Sequence, residues 1–352
     1  MHKTCFCQDF LRHPSKNIDF FLGNMLKRAM ESPLFLLISG FIVLGFAGEA
    51  LLRGAVSHLK VSPLIIGLTI IAFGTSAPEL TVSVKAALNG QPDISIGNVV
   101  GSNIANILLV LGLMAVVSPF ATQRGTLARD GSFMLGVSLS LVGLGFLGAI
   151  SPALGTLLLV ALIGFTIYLY TSSRAGEDAQ EAEAGVEENL VPGGLWMALL
   201  VLALGLAGII WGAGLMVDGA VLLARQMGIS EAVIALSLVA LGTSLPELAV
   251  SMVAAVRGHA SLAVGNIIGS NISNILLILG ATSLLAPLPI SELMAHRDIP
   301  IMLGVAALGT FFMGTGRRMS RLEGSLCLAL YASYMGFIFT AYFPPSGAEG
   351  AA

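Results

Sequence analysis

Apolar residues run along this chain in long blocks that end at Pro, Gly or charge, rather than in the short alternations of half-buried strands. A helix crossing ~30 Å of hydrocarbon needs roughly 20 such residues. Read that way, the first half predicts spans at 33–52, 62–88, 94–118, 132–150 and 152–172. The second half predicts 194–224, 231–256, 260–286, 298–315 and 322–343. The chain thus divides into a polar extension at 1–29, a first half at 30–172, a linker at 173–193, a second half at 194–344 and a tail at 345–352. The linker holds Glu177, Asp178, Glu181, Glu183, Glu187 and Glu188, a solvated acidic run without the ordered ligand spacing of an EF-hand.

Composition agrees. Hydrophobic residues make up 56% of the chain and charged residues 11%, against about 25% in soluble domains. Mean hydropathy is +0.91. The expectation is an all-α polytopic protein whose solvent is mostly lipid. A net charge of −3 and the lack of basic runs argue against nucleic acid. Cys5, Cys7 and Cys327 cannot build a disulfide framework. Residues 1–29 lack the apolar core of a signal peptide. Met25 and Met30 stand just before the first span, so a start at either is an open expectation. No cofactor and no obligatory protein partner are indicated.

An internal repeat organises these spans. Residues 66–112 align with 234–280 at a constant offset of 168, and 26 of the 47 positions are identical. Gly74-Thr75-Ser76-Ala77-Pro78-Glu79-Leu80 recurs as Gly242-Thr243-Ser244-Leu245-Pro246-Glu247-Leu248. Gly97-Asn98-Val99-Val100-Gly101-Ser102-Asn103-Ile104-Ala105-Asn106 recurs as Gly265-Asn266-Ile267-Ile268-Gly269-Ser270-Asn271-Ile272-Ser273-Asn274. Each repeat heads five predicted spans. Five is odd, so the second half enters the membrane with the opposite orientation, and equivalent sites meet near the midplane. The fold expected is ten transmembrane helices as two inverted five-helix repeats. An alternating-access carrier uses that symmetry directly; a channel or a membrane enzyme does not require it.

The repeat also carries chemistry. Glu79 and Glu247 each sit near the middle of an apolar run, where an uncompensated charge costs several kcal/mol and a functional partner is the default reading. Inverted halves should bring the two carboxylates face to face, which demands a cation or protons between them. Pro78 and Pro246 have no N–H for the carbonyls of Gly74 and Gly242, so the helices should kink or unwind at Gly-Thr-Ser. Thr75 with Glu79, and Thr243 with Glu247, share a helix face at a spacing of four; so do Ser102 with Asn106 and Ser270 with Asn274. For Asn98, Asn103, Asn266 and Asn271 packing is as good a reading as ligation, and Ser83 and Ser251 lean structural. The four repeat helices contain no His or Cys, which disfavours soft metals and hydrolytic chemistry alike. Carboxylates, hydroxyls, amide oxygens and carbonyls suit Ca²⁺, with Na⁺ or H⁺ as counter-ion; Mg²⁺ fits poorly because it demands an octahedron.

The paired Gly-Thr-Ser-x-Pro-Glu and Gly-Ser-Asn-Ile-x-Asn motifs resemble the alpha repeats of sodium/calcium exchangers of prokaryotic type, in the calcium/cation antiporter superfamily. The likeness covers roughly 33–344. It implies a ten-helix inverted repeat with the site between the second, third, seventh and eighth helices. By motif match it implies Glu79 and Glu247 as shared Ca²⁺ and Na⁺ carboxylates, and Thr75, Thr243, Ser76, Ser244, Ser102 and Ser270 as hydroxyl or carbonyl ligands. Asn106 would complete the set, with the carbonyls of Ala72 and Ala240 at its flanks. Asn274 is a departure. Many relatives, particularly the potassium-dependent branch, carry Asp there, so Asn argues against potassium co-transport. Cation/proton relatives use Gly-Asn-x-x-Glu instead of Gly-Thr-Ser-x-Pro-Glu, so the resemblance favours sodium, with a Ca²⁺/H⁺ antiporter of the same fold as the alternative.

The resemblance also suggests an outward N-terminus for the first span. The inner loops then hold Arg53, Lys60, Arg124, Arg129, Arg174, Arg257, Arg317, Arg318 and Arg321, and the outer loops Lys85, Arg225 and Arg297. That bias obeys the positive-inside rule. Both termini are expected outside, the linker in the cytoplasm, and residues 1–29 poorly ordered or untranslated, in a prokaryotic cytoplasmic membrane.

Overall fold

Serine and proline start the first helices. In the computed structural model, which describes residues 32–57, 62–121, 127–172, 190–228, 240–314 and 318–342, the Ser32 hydroxyl caps α1 (Pro33–Val56) by accepting from the Phe35 N–H at 3.2 Å. Ser62 does the same for α2 (Pro63–Thr75) through the Ile65 N–H at 3.3 Å. In both, proline fills the first helical position, where no N–H is needed. Then follow α3 (Ala77–Leu88), α4 (Pro92–Val117), α5 (Ser132–Leu147), α6 (Pro152–Ser172) and α7 (Gly194–Gln226). The remaining helices are α8 (Ala240–Thr243), α9 (Leu245–Val256), α10 (Ala260–Leu285), α11 (Met294–Gly314) and α12 (Arg321–Tyr342).

Among the described residues seven helices are long and apolar enough to cross a membrane, and α2 with α3, bent by 43°, pass the same test as one broken span. The expectations for residues 1–29, for most of the linker, for the first part of the span at 231–256 and for the tail lie outside the described residues. Burial runs inside out, as lipid solvent requires. Phe41 is 71% exposed and Trp196 82%, while Glu79 and Glu247 are each 1% exposed.

The two halves repeat in three dimensions. α4 and α10 both widen into a π-helical turn, over Asn106–Leu111 and Asn274–Leu279 respectively. α1 and α7 pack antiparallel. Gly40 meets Gly212 and Met216, Gly54 meets Ala198 and Leu202, and Gly219 meets Pro33 and Leu36. A Cβ at Gly54 or Gly205 would strike the partner helix's backbone, so glycine is what lets the axes approach.

Two features differ from the sequence expectation. Four two-residue strands form antiparallel pairs outside the helices: β1 (Phe120–Ala121) with β4 (Arg318–Met319), and β2 (Ala149–Ile150) with β3 (Leu288–Pro289). Isolated pairs this short leave no signal in an apolar pattern. Secondly, Arg129 and Arg297 stand not in loops but in π-helical turns, Leu127–Gly131 and Met294–Asp298, that lead into regular helix. Each binds the next residue's carboxylate with two hydrogen bonds, Arg129 to Asp130 at 2.7 and 3.1 Å and Arg297 to Asp298 at 2.8 and 3.1 Å. Pairing makes the charges tolerable in the helix, where hydropathy alone ended the span.

Candidate functional site

The site grows from two helix breaks. At Ser76 the backbone leaves the helical region, with φ −79° and ψ 4°, and at Ser244 it does so with φ −87° and ψ 1°. The prolines sit in the first turn of the helices that restart there, α3 and α9, as the missing N–H at Pro78 and Pro246 led one to expect. The restart has an electrostatic consequence. It puts Glu79 and Glu247 in the first turn of α3 and α9, where the positive end of the helix dipole favours a carboxylate.

The two carboxylates are within electrostatic reach of each other. Each is also served from across the molecule. Thr243 and Ser102 stand beside the Glu79 carboxyl, and Thr75, Ser270 and Ser76 beside that of Glu247. In each half the threonine therefore also reaches the other repeat's glutamate.

The side chains of the expected ligand set whose surroundings are described are all buried: Thr75, Ser76, Glu79, Ser102, Asn106, Thr243, Ser244, Glu247, Ser270 and Asn274, together with Ala72. Many of their polar atoms lack a hydrogen-bond partner among the described residues. These include the hydroxyls of Ser76, Ser102, Ser244 and Ser270, Oε2 of Glu79, both carboxylate oxygens of Glu247, both amide atoms of Asn106 and Oδ1 of Asn274. Buried polar groups are normally paired, and each orphan costs about 1–3 kcal/mol. So many in one place form a set of oxygens with no partner inside the described protein, which a bound ion or water would satisfy. The Ala72 carbonyl accepts from the Ser76 N–H at 3.1 Å and from the Thr75 hydroxyl at 3.4 Å, which occupies lone pairs a cation would use. Ala240 opens α8 at the edge of the described residues.

Asparagines left outside the sequence-derived set turn out to hold the glutamate helices. Asn98 Nδ2 donates to the Ser83 hydroxyl at 2.9 Å and to the Glu79 carbonyl at 3.1 Å. Asn266 Nδ2 donates to Ser251 at 3.1 Å and to the Glu247 carbonyl at 3.5 Å, and its Oδ1 accepts from Thr75 at 3.4 Å. The signal was there: the Asn98/Ser83 and Asn266/Ser251 pairs have the same spacing of 15 residues.

Among the described residues no group of three or more His, Cys, Asp or Glu could hold a metal. What converges instead is two carboxylates amid neutral oxygens, a donor set for a hard cation rather than a transition metal.

Comparison with known proteins gives the same picture over nearly the whole described chain. CaxA of Alkalimonas amylolytica is 38% identical over 320 residues, spanning 88% of this chain and 99% of that protein. The sodium/calcium exchanger MaX1 of Methanosarcina acetivorans is 33% identical over 341 residues, covering 86% and 97%. A solved structure of the sodium-calcium exchanger NCX_Mj, soaked with Na⁺ and Ca²⁺, superposes with a TM-score of 0.72 at 34% identity, over 86% of this chain and 97% of that one. The family model described as sodium/calcium exchanger protein matches residues 32–171 and 197–340, taking in both glutamates and both halves of the repeat, and the chain belongs to that family.

Proposed function

We propose that this protein is a secondary-active antiporter that exchanges Ca²⁺ for Na⁺ by alternating access, in a prokaryotic cytoplasmic membrane. Its ten transmembrane helices would form two inverted five-helix repeats. The antiparallel contact of α1 with α7, helices that occupy equivalent places in the two halves, supports that reading. So does the likeness to MaX1 and NCX_Mj, both sodium/calcium exchangers.

The observation that carries the proposal is the pair of buried carboxylates, Glu79 and Glu247, amid serine hydroxyls and asparagine amide atoms that have no hydrogen-bond partner among the described residues. Two bare negative charges in a low-dielectric interior repel strongly. One Ca²⁺ neutralises both, and Na⁺ ions in the same oxygens can replace it. An empty site leaves the charges uncompensated, so the rearrangement that exposes it to the other side is disfavoured unless an ion rides in it. That penalty turns a two-sided binding site into an exchanger rather than a leak.

The test is Ca²⁺ uptake by proteoliposomes loaded with Na⁺, compared with uptake driven by a pH gradient alone. Na⁺-driven uptake is expected. Uptake that follows pH and ignores Na⁺ would assign the protein to Ca²⁺/H⁺ exchange instead.

A further inference from the structure

Four asparagines at the crossing of α4 and α10 are related by the repeat, Asn103 to Asn271 and Asn106 to Asn274, yet they are not bonded alike. Asn274 Nδ2 donates to Asn103 Oδ1 at 2.9 Å. The repeat maps that bond onto Asn106 Nδ2 and Asn271 Oδ1, but both amide atoms of Asn106 and both of Asn271 lack a partner among the described residues. All four side chains are buried. Asn103 Nδ2 adds a bond of 3.3 Å to the Asn271 carbonyl and reaches Met302 Sδ at 3.5 Å, which ties the pair together across the two repeats.

The same asymmetry holds where the helices meet away from the site. On one side α1 is fastened to α9: Glu49 Oε2 lies 2.8 Å from Arg257 Nε, Glu49 Oε1 lies 2.9 Å from Arg53 Nε, and a Cβ on Gly48 would press on Val253. The repeat-related helices α7 and α3 are not packed together in this way, and Gly214 and Asn89 stand where Glu49 and Arg257 would be. One sequence pattern is thus held in two unequal arrangements, as a two-state carrier must be when it faces one side of the membrane.

We propose that Asn103 and Asn271 are positioning residues that engage the site carboxamides in turn. Asn103 holds Asn274 in the state with α1 closed on α9, and Asn271 holds Asn106 in the opposite-facing state. The inference rests on the antiporter reading above. Its physical content is simple. A carboxamide that donates through Nδ2 has its Oδ1 fixed, and Asn274 Oδ1 is one of the site oxygens left without a partner among the described residues. Engaging one asparagine orients one ligand oxygen and frees the other, so the order in which ions are held is linked to the side on which the site is open.

Hydrogen–deuterium exchange of the full chain in lipid nanodiscs reads the two states at residues 49–57 of α1 and at 214–226 of α7. Asn103→Ala removes the bond made in the present state. It is expected to shift the ratio of the two states about fivefold away from it, the worth of one buried neutral hydrogen bond. Exchange at 49–57 then quickens and at 214–226 slows. Asn271→Ala removes a bond made only in the other state and shifts both segments in the opposite sense. If either alanine variant does not fold, Asn103→Ser and Asn271→Ser must show the same opposed signs at smaller size. Shifts of the same sign, or none, overturn the proposal. Na⁺-driven Ca²⁺ uptake by wild-type vesicles is measured alongside. Uptake with unopposed shifts defeats the asparagine exchange alone, and opposed shifts without uptake defeat the antiporter reading alone.

Discussion

Thr75 lies beside the carboxylate of Glu247, 172 positions along the chain. Thr243 makes the reciprocal crossing to Glu79. Each half therefore supplies a carboxylate and a serine for one end of the site and a threonine for the other. Neither half holds a complete site, which explains why the motif is duplicated.

That crossing predicts a paired effect. Thr75→Val keeps the shape and removes the hydroxyl. It should weaken Ca²⁺ about tenfold, or ~1.4 kcal/mol, within the range for a polar group acting on a charge. Thr243→Val should do the same. The double variant should depart from the sum of the two, because both threonines act on one ion held by both carboxylates. Concentration dependence of Ca²⁺ uptake measures each; an unchanged half-saturation in both single variants would remove the threonines from the site.

The α1–α7 contact predicts which glycines tolerate a side chain. Gly205→Ala places a methyl against the Leu51 backbone and should cost about 1–3 kcal/mol by overpacking. Gly45→Ala meets nothing within 4 Å and should be neutral or slightly stabilising, since alanine favours helix. Thermal stability in detergent, followed by size-exclusion chromatography, compares the two. Equal melting would mean that close backbone approach is not what holds these helices.

The spans and the site were legible to different depths. Apolar blocks placed most helices to within a few residues, and the duplicated Pro-Glu placed both breaks, because lipid and proline impose strong local rules. The crossing of Thr75 to Glu247 was not legible, since spacing along one helix says nothing about what the other half brings. Nor was the entry into α5 and α11. Arg129-Asp130 and Arg297-Asp298 look like loop charges to a hydropathy reading, yet each pair neutralises itself. Asn98 and Asn266 were visible as repeats, but only the contacts show that they brace Glu79 and Glu247 through backbone carbonyls.

Those arginine–aspartate pairs give a stability prediction. Asp298 is 3% exposed, and Asp298→Asn leaves Arg297 in place with its carboxylate partner gone. Arg297 is partly exposed and also packs over the Phe337 ring, so losing its two charge-assisted hydrogen bonds costs about 1–3 kcal/mol. The variant should melt well below the wild type, whereas Arg53→Gln, at an exposed pair, should change stability by under about 1 kcal/mol. Similar melting temperatures for both variants would show that burial of the pair is immaterial.

The central claim is that Glu79 and Glu247 together hold the exchanged ion. Its most direct test is ⁴⁵Ca²⁺ exchange by Glu79→Gln and Glu247→Gln in Na⁺-loaded proteoliposomes, with size-exclusion profiles to show that both remain folded. The account predicts folded protein and no exchange above empty vesicles for either variant, because one remaining carboxylate cannot neutralise a divalent ion in that buried setting. Exchange at the wild-type rate by either folded variant would contradict it.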